Sequence, residues 1–212
     1  DICFTLDKKH AAAIAQELIE RKISIEWGCE TRLDCLTFDL IDLLYDSGMR
    51  GVNLGIESGD TEILKNSGKR NPSIQKQEEI INYMNSKKIR VNGFYMLGLV
   101  DDTVESMNKT IAYANKLNTQ GAQFCVTTPF PGTPLFEKQV PNIISYDYTK
   151  YTEYNPVLEI KGATTKEIQD SHSRAFKEFY MRFEWQKKYL FPSLKGLIKN
   201  RLATFKLLKN KV

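Results

Sequence analysis

Histidine is almost absent from this chain: His10 and His172 are the only two among 212 residues. They lie far apart, one at the start of a predicted helix and one on a charged helix. A Ser-His-Asp triad or a histidine metal site therefore has nothing to stand on. The four cysteines, Cys3, Cys29, Cys35 and Cys125, form no C-x-x-C pair and no local metal knuckle. The chain does not resemble a small secreted disulfide scaffold, so these are expected to be reduced thiols, three of them in or beside strands. No apolar run reaches the length of a membrane-spanning helix. The opening residues, DICFTLDKKH, lack the basic-then-apolar pattern of a signal peptide. They read instead as a strand entered part-way through a fold.

What is present is ordinary for a folded domain with a helical appendage: 42% hydrophobic and 26% charged residues, which excludes disorder and fibre as defaults. The net charge of +4 is unevenly spread. From residue 181 to 212 there are nine Lys or Arg against one acid, Glu184, a net of +8, which leaves about −4 for residues 1–180. A mildly acidic body thus carries a strongly basic tail.

Strand-like and helix-like segments alternate through the body. Residues 2–6, 24–29, 51–56, 90–99 and 123–128 read as strands. Between them lie an alanine-rich helix over 10–22, a helix over 37–45 stopped by Asp46-Ser47-Gly48, one opened by Pro72 and Ser73, and one over 103–117. Asp101 and Asp102 suit the positive N-terminal end of that last helix. Short strand–helix–strand repeats imply parallel pairing, in a doubly wound sheet or part of a β/α barrel. In either case ligands sit at the C-terminal ends of the strands. After Pro134 the rhythm stops. Residues 137–163 are an irregular, tyrosine-rich connection, and Thr164 or Thr165 caps a predicted helix to residue 190, with Pro192 as its breaker.

Three segments at the strand ends can carry chemistry. GIESGD, residues 55–60, places Glu57, Ser58 and a flexible turn after a buried strand, where a carboxylate can accept from both hydroxyls of a ribose. Taken alone, a helix-capping or salt-bridged acid fits Glu57 equally well. Gly68-Lys69-Arg70 supplies cations for a carboxylate or phosphate, or is a solvated basic turn. MLGLVDD, residues 96–102, puts Gly98 where a flat ring can lie against bare backbone. TPFPGTPL, residues 128–135, packs three prolines and a glycine into a rigid loop.

The ordered set FTLD, W-x-x-x-T-R-L-D, LGIESGD…GK, FYMLGL and QFCVTTPFPGTPL resembles radical S-adenosylmethionine (radical SAM) enzymes. The likeness is greatest to the cobalamin-binding branch of Fe–S oxidoreductases and methylases, and it covers residues 1 to about 136. It implies an α/β fold: a partial radical SAM (β/α)6 barrel of about five parallel strands, residues 1–136, then the irregular connection 137–163 and a helical basic extension 164–212. It implies S-adenosylmethionine, a [4Fe–4S] cluster and, in the full-length protein, cobalamin as cofactors. Asp1, Glu30 and Arg32 fall where the family contacts the methionine part of the ligand. Glu57, beside Ser58, would take the ribose hydroxyls, and Lys69 would pair with the methionine carboxylate. Phe94, Met96 and Gly98 correspond to the strand lining the adenine, with Asp101 in place of its final acid. Thr128 and Phe130, with the PGTP loop, would close the pocket.

The departures define the rest of the expectation. The family's C-x-x-x-C-x-x-C motif, its first strand and a preceding cobalamin domain are not in these residues, so the cluster ligands are expected in a missing N-terminal segment. The chain reads as a fragment of an enzyme that cleaves SAM for methyl transfer or rearrangement on a small organic or lipid-like substrate. The alternative is a non-catalytic half-barrel that binds a nucleotide-like ligand or a partner chain. Aromatic residues between 176 and 191 are expected to pack on the barrel. The basic tail, with Leu194, Leu197, Ile198, Leu202 and Phe205 at helical spacing, suits a solvated end or contact with an anionic membrane surface by a cytoplasmic protein. It lacks the aromatic stacking platforms of a nucleic-acid binder.

Overall fold

A computed structural model describes residues 3–68 and 71–195. Four strands form one parallel sheet in sequence order: β1 (Trp27–Arg32), β2 (Met49–Glu57), β3 (Arg90–Leu97) and β4 (Gly121–Val126). Helix α1 (Lys8–Glu20) precedes the sheet, and α2 (Phe38–Asp46) joins β1 to β2. The next link holds a short α3 (Thr61–Asn66), which periodicity does not reveal, and α4 (Ile74–Ser86); α5 (Val104–Leu117) joins β3 to β4. Beyond β4 come α6 (Pro134–Gln139) and α7 (Thr165–Tyr180).

The expected first strand over residues 2–6 is not a strand in its described part. Leu6 N–H turns back to the Cys3 carbonyl, and the Asp7 carboxylate accepts from the Lys9 and His10 amides at 3.0 Å each, capping α1. Capping chemistry has won over apolar alternation. Among the described residues one rung, Phe4 N–H to Glu30 O at 2.8 Å, ties this segment to β1, and the sheet has four strands where about five were expected.

Each strand alternates between a helix-covered face and an open one. Leu54, Ile56, Tyr95, Leu97 and Phe124 are buried under the helices. The helices answer with apolar stripes, such as Ile168, Ala175 and Phe179 on α7. Asn53, Gly55, Phe94, Met96, Gln123 and Cys125 occupy the half-buried open face.

The outer edge of β4 would be a liability if left bare. Helix α7 and the segments beside it cover that edge with side chains. The Tyr180 hydroxyl accepts from Ala122 N–H and donates to Ala122 O, both at 2.9 Å. His172 Nε2 donates to Phe124 O at 3.0 Å, and Trp185 Nε1 donates to Gln120 O at 3.0 Å. Phe176, Phe179, Tyr180 and Trp185 pack against the core as the aromatic pattern implied, whereas Phe183 and Phe191, expected to join them, are exposed. The predicted single helix to residue 190 instead ends at Tyr180, because Arg182 folds back to donate to Phe179 O at 3.0 Å and to Asn115 O. Pro192 does not break the chain's helical path. A wide π-helical turn, Gln186–Leu190, precedes it, and the described residues remain helical to 195. Such a turn relieves the clash of the proline ring with the carbonyl four residues back. Most of the basic tail lies outside the described residues, and no described helix is long and apolar enough to cross a membrane.

Burial holds the His172 pKa below its ordinary 6.5, outweighing the bond to Phe124 O. The unfolded chain then takes up the proton first as pH falls, so stability drops below about pH 6.5 and continues to drop through the depressed native value. Urea midpoints measured between about pH 7.5 and 5 should show this slope, and His172→Gln should flatten it. A slope unchanged in the variant would assign it to other groups.

Candidate active site

Parallel register lines up the open face in rows. Glu30, Asn53, Asn92 and Gly121 form one row, and Arg32, Gly55, Phe94 and Gln123 the next. In the first row Asn53 Nδ2 donates to Glu30 Oε1 at 2.9 Å, and Asn92 Nδ2 donates to Asn53 Oδ1 at 3.4 Å. Glu30 is thus anchored but still exposed. The Arg32 guanidinium binds Asp34 with two nitrogens, at 2.9 and 2.5 Å, which raises its pKa further. Sequence reasoning gives no partner for either residue.

Toward the C-terminal end of β2 the pairing slips between Gly55 and Glu57, and Glu57 takes φ of 71°. A side chain held in that region marks local strain, which folded proteins tend to concentrate at functional positions. The carboxylate lies back along the strand: a β-carbon at Gly55 would sit 3.0 Å from Glu57 Oε1. Gly55 therefore makes room for the acid on the open face.

Ser58 points the other way. It is fully buried, sharing a 2.9 Å hydrogen bond with the Thr110 hydroxyl on α5 and accepting from Asp60 N–H at 3.1 Å. Its hydroxyl fastens the β2–α3 turn to α5 and is turned away from the open face. Asp60 caps α3 and pairs with Lys109 at 3.1 Å; burial alone would raise its pKa, but Lys109 and the Ile63 and Glu62 amides together hold it below the ordinary value.

After β3, Gly98 adopts φ of 72°, and the side on which a β-carbon would stand is filled by Ile168 of α7 at 3.2 Å. Asp101 is exposed, whereas Asp102 is buried and accepts from Leu99 N–H at 2.9 Å and Ser106 Oγ–H at 2.5 Å. The helix itself is capped by Thr103. After β4, Thr128 Oγ1 donates to Val126 O at 3.1 Å, and the half-exposed Phe130 ring meets Tyr151 edge-on at 6.4 Å. Thr133 caps α6, with Pro134 as its first residue. Asp1 and Lys69 lie outside the described residues.

The loops after β2, β3 and β4 enclose a cavity of about 440 Å3, lined by Ile63, Asn66, Leu99, Asp101, Thr127 and Leu135 among others. Thr127 is only 3% exposed, and its hydroxyl has no hydrogen-bond partner among the described residues. A buried hydroxyl left unpaired costs about 1–3 kcal/mol. Sequence reading selects Thr128 and passes over Thr127, since nothing in the pair TT says which hydroxyl is paired.

All four cysteines are free, and burial pushes the Cys29, Cys35 and Cys125 thiols up to about 11. Cluster ligation needs thiolates grouped in space. Among the described residues no three His, Cys, Asp or Glu side chains are placed to hold a metal. The residues at hand therefore fit a small polar ligand at the strand ends and do not fit the cluster.

Known proteins resemble this chain in sequence and in fold. The chain is 32% identical over 186 residues to an uncharacterized methyltransferase of Pyrococcus horikoshii, covering 86% of this chain and 40% of that protein. It is 26% identical to the bacteriochlorophyllide d C-12(1)-methyltransferase of Chlorobaculum tepidum, covering 77% of this chain and 37% of that protein. The chain thus spans about two-fifths of the length of these relatives. Its fold is similar to that of coproporphyrinogen III oxidase from Escherichia coli, with a TM-score of 0.61 at 14% identity, over 83% of this chain and 37% of that one. It is also similar to the methyltransferase TsrM from Kitasatospora setae, solved with cobalamin and a [4Fe–4S] cluster, with a TM-score of 0.60 at 19% identity over 80% and 36% of the two chains. The family model described as the Radical SAM superfamily matches residues 4–114, more than half of the sequence. On that match, the chain belongs to the radical SAM superfamily.

Proposed function

We propose that this chain is the SAM-holding part of an enzyme that transfers a methyl group to, or rearranges, a small organic substrate. The observation that carries this reading is the strand-end cavity with the orphaned Thr127 hydroxyl, which a bound ligand would satisfy. Family membership supplies the ligand's identity, and two relatives bear methyltransferase names. SAM, reduced by a [4Fe–4S] cluster, supplies a 5′-deoxyadenosyl radical, or with cobalamin a transferable methyl group. The cluster's cysteines belong to residues other than those described.

The chain's own residues would bind and orient. Glu57 accepts the ribose hydroxyls, Phe94 and Met96 provide an apolar floor on the open face, and Thr127 meets a polar edge of the ligand. Lys69 takes the methionine carboxylate, with Glu30 beside its ammonium group. Ser58, fixed to Thr110, keeps the Glu57 turn in place. Free thiols suit a reducing, cytoplasmic setting, and the basic tail suits contact with a membrane surface.

Thr127→Val tests the reading because it separates folding from binding. Removing an unpaired buried hydroxyl should stabilise the protein by about 1 kcal/mol, while SAM affinity measured by calorimetry should fall about tenfold. Unchanged SAM affinity in a folded variant would overturn the assignment of this cavity.

A further inference from the structure

Asp102 is a buried carboxylate that the strand-end chemistry leaves unexplained. It is 1% exposed, and among the described residues no cation pairs with it. Its oxygens are met by Leu99 N–H at 2.9 Å and Ser106 Oγ–H at 2.5 Å, so one side chain ties the turn after β3 to the first turn of α5. The turn is also clamped from outside. Ile168 of α7 fills the space beside Gly98, and a β-carbon on Gly162 would stand 2.3 Å from Asp102 O. Between the two anchors hang Leu99, Val100 and Asp101, all three of which line the cavity. A buried charge without a cation is costly and is tolerated where its hydrogen bonds hold something in place.

We propose that Asp102 is the positioning residue of the ligand cavity, its ionised carboxylate drawing the turn tight so that Leu99 and Asp101 face the ligand. This rests on the reading that the cavity takes SAM. Protonation would leave a weaker neutral acceptor for Leu99 N–H and slacken the turn. Burial pushes the Asp102 carboxyl up from its ordinary range, against the opposing hydrogen bonds from Ser106, Leu99 and Gly98. The titratable groups facing it are Asp60, which also raises it, and Lys109, paired with Asp60. From the 158–163 segment and α7 the residues against the turn are Gly162 and Ile168, which do not titrate, and Glu159 and Lys161 of that segment stand with Asp101 and Thr103 around a neighbouring pocket.

The test compares wild type with Asp102→Asn, which keeps the shape and removes the charge. SAM affinity is followed by calorimetry across pH, and exchange of the Leu99 amide by NMR in the ligand-free protein. Wild-type affinity should fall as pH drops, while Asp102→Asn should bind about tenfold more weakly at neutral pH and show no such slope. Leu99 protection should fall in the variant. Equal affinity and slope in the two proteins, or unchanged Leu99 protection, would overturn the positioning role. Loss of Leu99 protection in a protein that never binds SAM would support it and overturn the reading of the cavity instead. Ser106→Ala, which removes the α5 anchor together with the bond that Ser106 Oγ accepts from Thr103 N–H in the helix cap, serves if Asp102→Asn fails to fold, and the same weakening is expected of it.

Discussion

Gly59→Ala should destabilise the fold by about 3 kcal/mol, at the upper end of what overpacking costs. The reason is not backbone conformation but contact. A β-carbon at position 59 would lie 2.6 Å from Tyr113 Cβ, 2.8 Å from Lys109 O and 3.0 Å from Thr110 Cα, so it meets the body of α5 where no flexible side-chain end can give way. The glycine amide also donates to Thr110 Oγ1 at 3.0 Å, so pushing the turn off the helix would break that bond and the Ser58–Thr110 pair together. Gly68 is the contrasting site. It has φ of 69° and nothing within 4 Å of the point where a β-carbon would stand, so Gly68→Ala should cost about 1 kcal/mol from conformation alone. Urea unfolding of the two variants, with matching m-values, measures the difference. Equal costs would mean that α5 can retreat from the turn.

The same contact explains why part of the site is readable in the sequence and part is not. Alternation of strand and helix shows in local periodicity, and β2, β3 and α5 lie within a few residues of their expected spans. Periodicity sees one element at a time. Residues 3–6 carry strand-like apolar residues, yet the Asp7 cap and the Cys3–Leu6 turn direct them elsewhere, and the chain gives no sign of which influence prevails. Ser58 and Asp102 stand out in the sequence only by their place beside a strand end. The role of Ser58 depends on Thr110, 52 residues on, which becomes its neighbour only after folding, whereas Asp102 reaches Ser106 once the first turn of α5 has formed. The coverage of the β4 edge is hidden for the same reason. Tyr180 and His172 lie 58 and 48 residues from the backbone groups they satisfy.

Glu57 is where loss of a single side chain should cost most in binding. On the proposed reading, in which its carboxylate accepts two ribose hydroxyls and each charge-assisted bond contributes about 1.5–3 kcal/mol, Glu57→Ala should weaken SAM binding about a hundredfold or more. A structural acid would respond differently, and the backbone provides the means to tell. At φ of 71° any residue with a β-carbon is strained, so Glu57→Gly should be more stable than Glu57→Ala by about 1 kcal/mol, although neither retains the acid. The two variants should then bind SAM equally weakly while differing in urea midpoint. Binding that recovers with stability in Glu57→Gly would make the residue a strut for the bulge. Binding lost in both, with the turn relaxed in one, would mean that the strain at β2 is tolerated in order to bring a carboxylate to the ligand.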